Sequence, residues 1–177
     1  MTVVAARKTD TEITIAADSM FSYTNLIATP LEIDAVKLFR HNGLIIGASG
    51  DSGEISQMRL FSRNHKPASA TPDGVTEFID EFREWLKKKD GEAEFSASYL
   101  IAFDGKCFRT YTRTYDVFEV PEFAAIGAGE HFAVTALHLG KSAVEAVEAA
   151  CALNPWCRLP VSFFSMPIAP TSRMGSA

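Results

Sequence analysis

The chain begins with two short runs of apolar and β-branched residues. Residues 2–8 and 12–18 have this character, and a polar Thr-Asp-Thr turn lies between them. Runs of this length, bounded by turn residues, are typical of a β-hairpin. In an antiparallel pair with a tight turn, the first residue of one strand lies beside the last residue of the other. The pattern therefore places Thr2 near Asp18.

Similar patterns predict further strands and four helices along the chain. Apolar residues at helical offsets predict helices over residues 51–64, 75–86, 130–139 and 142–153. Short apolar runs predict strands over residues 35–41, 44–50, 96–103, 106–112, 115–120 and 161–166. Asn-Gly and Asp-Gly turns join two of the strand pairs as hairpins. Residues 20–34 form a longer connection.

The order of these elements predicts the fold class. Strands, two helices, strands and two helices follow one another in separate groups, which favours an α+β domain over an alternating parallel α/β fold. We expect a four-layer α-β-β-α sandwich with helix pairs on the outer faces of two antiparallel sheets. The length of 177 residues suits a single domain spanning residues 1–177, in which residues 166–177 are predicted to be a poorly ordered tail.

Composition restricts the classes of partner and cofactor. The formal net charge of −5 gives no reason to expect nucleic acid. No run approaches the roughly 18 apolar residues of a membrane span, and the early charges do not resemble a secretion signal, so we expect a cytoplasmic protein without a membrane partner. Three cysteines without CxxC spacing and four histidines without metal-like pairing predict no disulfide framework and no metal site.

Thr2 is the main candidate for chemistry. If Met1 is removed, Thr2 carries a hydroxyl and a free α-amine, which together can serve as nucleophile and general base. The unperturbed amine has a pKa of about 7.7 to 8.0, so it can accept a proton near neutral pH. Threonine is also a good strand former. On that simpler interpretation, Thr2 only begins a strand.

Three other positions have both a chemical and a structural interpretation. Asp18 can orient a cation or simply end a strand, and Lys37 can act in a site or lie on a solvated strand edge. Alternation along the strand does not decide which face of Lys37 is buried. Gly50 precedes a helix that begins near residue 51 or 52, where free backbone N–H groups suit an oxyanion. It also permits a tight turn.

Five short motifs follow one another along the chain. They are Thr2-Val3-Val4-Ala5, Ile15-Ala16-Ala17-Asp18-Ser19, Lys37 at the start of Lys-Leu-Phe-Arg, Ile46-Gly47-Ala48-Ser49-Gly50-Asp51, and Ile126-Gly127-Ala128-Gly129 before a helix. In this order the motifs resemble the proteasome β-subunit family, and within it the bacterial HslV-type peptidases and their small relatives. The resemblance extends from residue 2 to about residue 153, and it implies no metal or organic cofactor.

The resemblance implies the N-terminal-nucleophile hydrolase fold and a set of roles. Thr2 would be the nucleophile, with its own amine as general base. Lys37 would lower the pKa of the hydroxyl or amine, and Asp18 would hold Lys37 charged and in place. The backbone N–H of Gly50 would form the oxyanion hole. Two further residues are candidates for the substrate pocket: Ser49 and Met20.

The resemblance also implies a threonine peptidase that acts on peptides or unfolded proteins, assembles into homo-oligomeric rings and works with a separate ATPase unfoldase. Two alternatives stay open. Ala128 occupies the place of a serine that organises the terminal amine in this family, which suggests a ring protein without catalysis. An Asn154-Pro155-Trp156 segment also stands where an aspartate often follows the fourth helix. The second alternative is an amidase that acts on a small amide.

Overall fold

Eleven strands and four helices make up the described part of the chain. The computed structural model describes residues 2–23, 26–28, 33 and 36–168. In chain order the elements are β1 (Val3–Lys8), β2 (Glu12–Ala17), β3 (Phe21–Tyr23), β4 (Leu26–Ala28), β5 (Leu38–His41), β6 (Leu44–Ser49), α1 (Ser52–Phe61), α2 (Pro72–Lys89), β7 (Ser98–Phe103), β8 (Lys106–Tyr111), β9 (Asp116–Glu119), β10 (Phe123–Gly127), α3 (Glu130–His138), α4 (Ala143–Leu153) and β11 (Ser162–Pro167).

The strands form two main antiparallel sheets. The first has the order β10-β1-β2-β11, and the second has the order β5-β6-β7-β8-β9. Within the first sheet, β1 and β2 pair as the predicted hairpin, with Val4 opposite Ala17 and Ala5 opposite Ala16. A separate two-stranded sheet joins β3 to β4.

Strand alternation divides the buried residues of β1 between two cores. Val4 and Ala6 belong to the large core between the two sheets, which continues beneath α1 and α2. Val3 and Ala5 face the other way and pack with residues of α3 and α4, including Val147. The first sheet presents mainly alanine and valine to these helices, which lets them lie close to it. The predicted four-layer α-β-β-α architecture is therefore confirmed.

The structure also contains strands that the sequence patterns did not predict. β10 pairs with β1 along its whole length, from Val3 opposite Gly127 to Arg7 opposite Phe123. The short strands β3 and β4 lie within the predicted connection over residues 20–34, and the remainder of that connection is mostly outside the described residues.

The C-terminal strand continues beyond the predicted start of the tail at residue 166. β11 includes Met166 and Pro167, and the N–H of Ile168 donates to the Thr11 carbonyl at 2.8 Å. Residues 166–168 are therefore held in the sheet, because their backbone pairs with β2 and the turn before it. The remainder of the predicted tail, residues 169–177, lies outside the described residues.

Two searches of the described residues concern membrane and metal binding. No helix there has both the length and the apolar character needed to cross a membrane. No group of three or more His, Cys, Asp or Glu side chains in the same residues is arranged to hold a metal ion.

The close approach of the two sheets depends on Gly47. A Cβ at this position would lie 2.5 Å from Cγ1 of Val4 and 2.9 Å from Cγ2 of Ile15. We expect Gly47→Ala to lower the free energy of unfolding by about 1–3 kcal/mol, because it overpacks the core between the sheets. Urea denaturation measures the change.

The matched control is Gly91→Ala, since a Cβ on Gly91 meets no atom within 4 Å. We expect this control to change the free energy of unfolding by less than about 0.5 kcal/mol. Equal stability of the two variants would mean that the sheets can separate at Gly47 without cost.

Candidate active site

Asp18 directly follows β2, is only 2% exposed and accepts four hydrogen bonds from residues that the structure describes. Its Oδ1 accepts from Nζ of Lys37 at 2.7 Å and from the N–H of Val3 at 2.9 Å. Its Oδ2 accepts from the N–H groups of Met20 at 3.1 Å and Arg158 at 3.0 Å. A buried carboxylate is costly unless it is paired and hydrogen-bonded. Here the donors come from β1, from Lys37, from the segment just after Asp18 and from the loop after α4.

Lys37 precedes β5, and its side chain is buried against Asp18. The residue is 8% exposed, and its carbonyl accepts from the N–H of Ala48 at 2.8 Å, which aligns it with the end of β6. Burial lowers the pKa of Lys37 from its usual 10.5, and the charge of Asp18 opposes that effect. Lys37 therefore gives up a proton more readily than a surface lysine does.

Thr2 is held from both sides of its backbone. The following N–H, that of Val3, is bonded to Asp18, and the carbonyl of Thr2 accepts from the N–H of Gly129 at 3.2 Å. Gly127 adopts φ +96°, and a Cβ there would lie 2.4 Å from the Thr2 carbonyl oxygen. Only glycine fits this position. Thr2 itself is 4% exposed.

Ser49 and Gly50 extend the site from the second sheet. A Cβ on Gly127 would also lie 2.9 Å from Oγ of Ser49, so Ser49 and Thr2 both flank Gly127. Gly50 has φ +133°, and a Cβ there would lie 2.6 Å from Cα of Ala97. Glycine is therefore required at the turn between β6 and α1.

The structure thus brings Thr2, Asp18, Lys37 and Ser49 together at one end of the two sheets, and Gly50 follows directly after Ser49. Met20 is joined to this group through its backbone, since its N–H donates to Asp18 and its side chain lies in the core. Its assignment to a substrate pocket stays a prediction. The same holds for the assignment of Ser49 to that pocket and for the catalytic roles of Thr2, Asp18, Lys37 and Gly50.

Asn154 completes the surroundings of Thr2 from the end of α4. It is buried, and its Nδ2 donates to the carbonyl of Ala128 at 2.7 Å while its Oδ1 accepts from the N–H of Trp156 at 2.9 Å. Asn154 therefore ties the turn that contacts the Thr2 carbonyl to the loop that reaches Asp18 through Arg158. An asparagine before proline signals only a helix end, so sequence reasoning missed this bridge.

Cysteine chemistry is unfavourable near this site. Cys157 lies close to the Thr2 region, since a Cβ on Gly129 would be 2.6 Å from its Sγ. Burial raises the pKa of Cys157 to about 11 and that of Cys151 to about 12. A thiol must ionise to act as a nucleophile. Both cysteines therefore stay protonated near neutral pH.

The importance of the buried ion pair can be measured by removing Asp18. We expect Asp18→Ala to lower the free energy of unfolding by about 3–5 kcal/mol, because it leaves the Lys37 ammonium buried without its partner. Urea denaturation of the purified variant measures the change.

A solvated ion pair supplies the matched control. Lys106 and Glu119 form an ion pair in which Nζ lies 2.9 Å from Oε2, but their side chains are 39% and 37% exposed. We expect Glu119→Ala to change stability by less than about 1 kcal/mol. A cost for Asp18→Ala as small as that of this control would contradict the interpretation of Asp18 as the anchor of the site.

Comparisons with known proteins agree with this architecture. The chain matches BPH of Thiobacillus denitrificans, solved in complex with epoxomicin, with a TM-score of 0.81 and 22% identity over 95% of this chain and 100% of that chain. It matches the eukaryotic HslV of Trypanosoma brucei with a TM-score of 0.71 and 16% identity over 93% of this chain and 99% of that chain.

A third solved structure is the helical assembly of the Anbu complex from Pseudomonas aeruginosa, with a TM-score of 0.70 and 14% identity over 93% of this chain and 81% of that chain. No protein-family model and no curated protein sequence matches the chain. At these identities the similarity is one of fold. The chain has the fold of the proteasome-type N-terminal-nucleophile proteins.

Proposed function

We propose that this protein is a threonine-type peptidase subunit that hydrolyses peptide bonds through Thr2 after Met1 is removed. One observation carries the proposal: a single oxygen of Asp18 accepts both from Lys37 and from the N–H that follows Thr2. The buried carboxylate thereby fixes a cation and a threonine backbone relative to each other. This arrangement suits activation of a hydroxyl at the N-terminus.

The proposed reaction begins with attack of Thr2 Oγ on the carbonyl carbon of the scissile peptide bond. The α-amine of Thr2 takes the hydroxyl proton and passes it to the leaving amine, while the Lys37 charge favours the developing alkoxide. The N–H of Gly50 donates to the oxyanion of the tetrahedral intermediate. Water then hydrolyses the resulting ester and restores the free hydroxyl. No metal or organic cofactor takes part.

Similarity of fold supports the peptidase proposal in a specific way. The matching BPH structure was solved in complex with epoxomicin, which shows that a protein of this fold has a site for that compound. In this chain, Thr2, Asp18 and Lys37 lie together in one buried site. Epoxomicin is therefore the natural probe for Thr2.

We further propose that the subunit acts as a homo-oligomeric ring in the cytoplasm, with peptides or unfolded proteins as substrates and an ATPase unfoldase as an additional partner. The Anbu complex, which matches in fold, was solved as a helical assembly. Several large apolar side chains of this chain are exposed and would be covered in such an assembly: Leu139, Leu153, Phe118 and Phe163.

A noncatalytic assembly subunit is the second candidate, and Ala128 favours it. Its methyl group supplies no hydroxyl beside Thr2, and the neighbouring Asn154 uses its amide to bond the Ala128 carbonyl. The terminal amine would then lack a hydroxyl that tunes its basicity from this side. Retention of Met1 would lead to the same loss of function, since the Thr2 nitrogen would be an amide.

The first test uses intact mass before and after incubation with epoxomicin. We expect the untagged protein to lack Met1 and to gain one adduct per chain, located on Thr2 by peptide mapping. Thr2→Ala should form no adduct and lose peptide hydrolysis, because it has no nucleophilic oxygen, whereas Thr2→Ser should keep both. Retained Met1 with no adduct would reject the peptidase in favour of the assembly subunit.

Matched controls separate chemistry from folding. Thr135→Ala removes an exposed hydroxyl on α3, which bonds only the carbonyl of His131, and should leave adduct formation unchanged. Native mass spectrometry should give the same oligomer for Thr2→Ala as for the unmodified sequence. A solitary monomer that hydrolyses small amides but no peptides would instead support an amidase.

Lys37→Ala tests the electrostatic part of the proposal. We expect it to reduce the rate of peptide hydrolysis by at least about 100-fold, since Lys37 is the only side-chain cation bonded to Asp18 in the described part of the chain. Lys88→Ala, which removes an exposed lysine at the end of α2, is the control and should leave the rate unchanged. Steady-state hydrolysis of a fluorogenic peptide measures both, and a fully active Lys37→Ala would refute the role of Lys37.

A further inference from the structure

We propose that Glu54, in the first turn of α1, is a positioning residue that holds Gly50 in the conformation needed for the oxyanion hole. The inference rests on the proposed function, because it assigns a support to the Gly50 N–H. It concerns a residue that contacts neither Thr2 nor the Asp18–Lys37 pair in the described hydrogen bonds.

Glu54 is a buried carboxylate in an otherwise apolar helix face. It is 3% exposed, and α1 buries it beside Ile55 and Met58. Its Oε2 accepts from the N–H groups of Ser96 at 2.8 Å and Ala97 at 2.9 Å. A charge buried at this cost needs such compensation. The bonds connect α1 to the segment immediately before β7.

The residues that Glu54 holds are the ones against which Gly50 packs. A Cβ on Gly50 would lie 2.6 Å from Cα of Ala97 and 3.0 Å from the carbonyl oxygen of Ser96. The ladder between β6 and β7 ends with Ser49 opposite Ser98, so Gly50 is the first residue beyond it. Beyond the end of the ladder, contact with Ala97 determines where the Gly50 backbone can lie.

Ala97 is fixed from its other side as well. Thr112 donates to the Ala97 carbonyl from its N–H at 3.1 Å and from its Oγ1 at 2.9 Å. Both polar groups of Ala97 are therefore bonded, one to Glu54 and one to Thr112. We name this arrangement, formed by Glu54, Ala97 and Thr112, the Ala97 clamp.

Two local interactions keep the Glu54 side chain in place. The N–H of Glu54 donates to Oδ1 of Asp51, the N-cap of α1, at 2.8 Å. The hydroxyl of Tyr99 donates to Oε1 of Glu54 at 3.3 Å. Burial, and then the charge of Glu54, raise the pKa of Tyr99 well above 10, so this hydroxyl keeps its proton across the neutral range.

The arrangement joins helix start, clamp and Gly50 into one rigid unit. Asp51 follows Gly50 directly and begins α1, and Glu54 in the same helix turn reaches across to Ala97. The Gly50 N–H is therefore held by the turn into α1 on one side and by the segment before β7 on the other. An oxyanion donor must be preorganised in this way, because reorganisation during the reaction would cancel its benefit.

The test compares two ligands that differ only in their ability to form an oxyanion. Thr2 Oγ adds to the carbonyl carbon of a peptide aldehyde and forms a hemiacetal whose oxygen lies in the oxyanion hole. The corresponding peptide alcohol binds without such an adduct. We expect Glu54→Ala to weaken binding of the aldehyde and to lower kcat by the same factor, roughly 100-fold. The affinity for the alcohol and KM should change little. Equal weakening of both ligands would overturn the proposal.

Glu54→Gln is the conservative variant. Its amide oxygen can accept from both N–H groups of the clamp, and its NH2 can donate to Tyr99, so we expect aldehyde affinity within roughly fivefold of the unmodified protein. Glu77→Ala, at an exposed position on α2, controls for loss of a carboxylate and should change nothing. If Glu54→Ala does not fold, Glu54→Asp replaces it and should show the same selective loss for the aldehyde.

Amide hydrogen exchange tests the clamp independently of catalysis. We expect the amide of Thr112, which is buried and donates to the Ala97 carbonyl at 3.1 Å, to exchange at least about tenfold faster in Glu54→Ala than in Glu54→Gln, because Ala97 is no longer held when the clamp is lost. Unchanged exchange in Glu54→Ala would refute the positioning role even in an active peptidase. Faster exchange in a protein that never binds the aldehyde would leave the clamp standing and reject the proposed function alone.

Discussion

The buried carboxylate of Asp18 is the interaction on which the rest of the site depends. Its four donors among the described residues come from β1, from Lys37, from Met20 just after Asp18 and from the loop after α4. A carboxylate so deeply buried is tolerated only when all these partners are present together. The full set of bonds therefore forms only when the parts of the chain that carry these donors have folded correctly. The same four bonds offset the cost of burying Asp18 and also bring Lys37 close to Thr2.

Close backbone approach is the second constraint, and glycine satisfies it. Gly47 lets the two sheets meet at Val4 and Ile15, and Gly127 lets β10 lie against the Thr2 carbonyl. Gly50 turns the chain from β6 into α1 while packed on Ala97. A side chain at any of the three would push apart elements that the site requires in contact. The architecture of the sheet pair and the geometry around Thr2 are consequently inseparable.

Local patterns were sufficient for most of the secondary structure, but not for the edges and connections of the sheets. The β1–β2 hairpin, the four helices and the hairpins around the Asn-Gly and Asp-Gly turns follow from spacing and turn residues alone. β10 was missed because five residues between a proline and a glycine-rich turn carry little signal, and its stability comes from pairing with β1. β3 and β4 were missed for a similar reason, since three-residue strands have no detectable period.

The sequence by itself determined that Thr2 and Asp18 are neighbours, because a tight hairpin brings together the two ends of its strands whatever the rest of the chain does. Only the tertiary structure decided which face of Lys37 is buried, since alternation is symmetric with respect to the two faces of a strand. It also decided the partners of Glu54 and the contacts of Arg158 and Met20 with Asp18. Those bonds use backbone N–H groups, which every residue except proline possesses, so no side-chain pattern can reveal them.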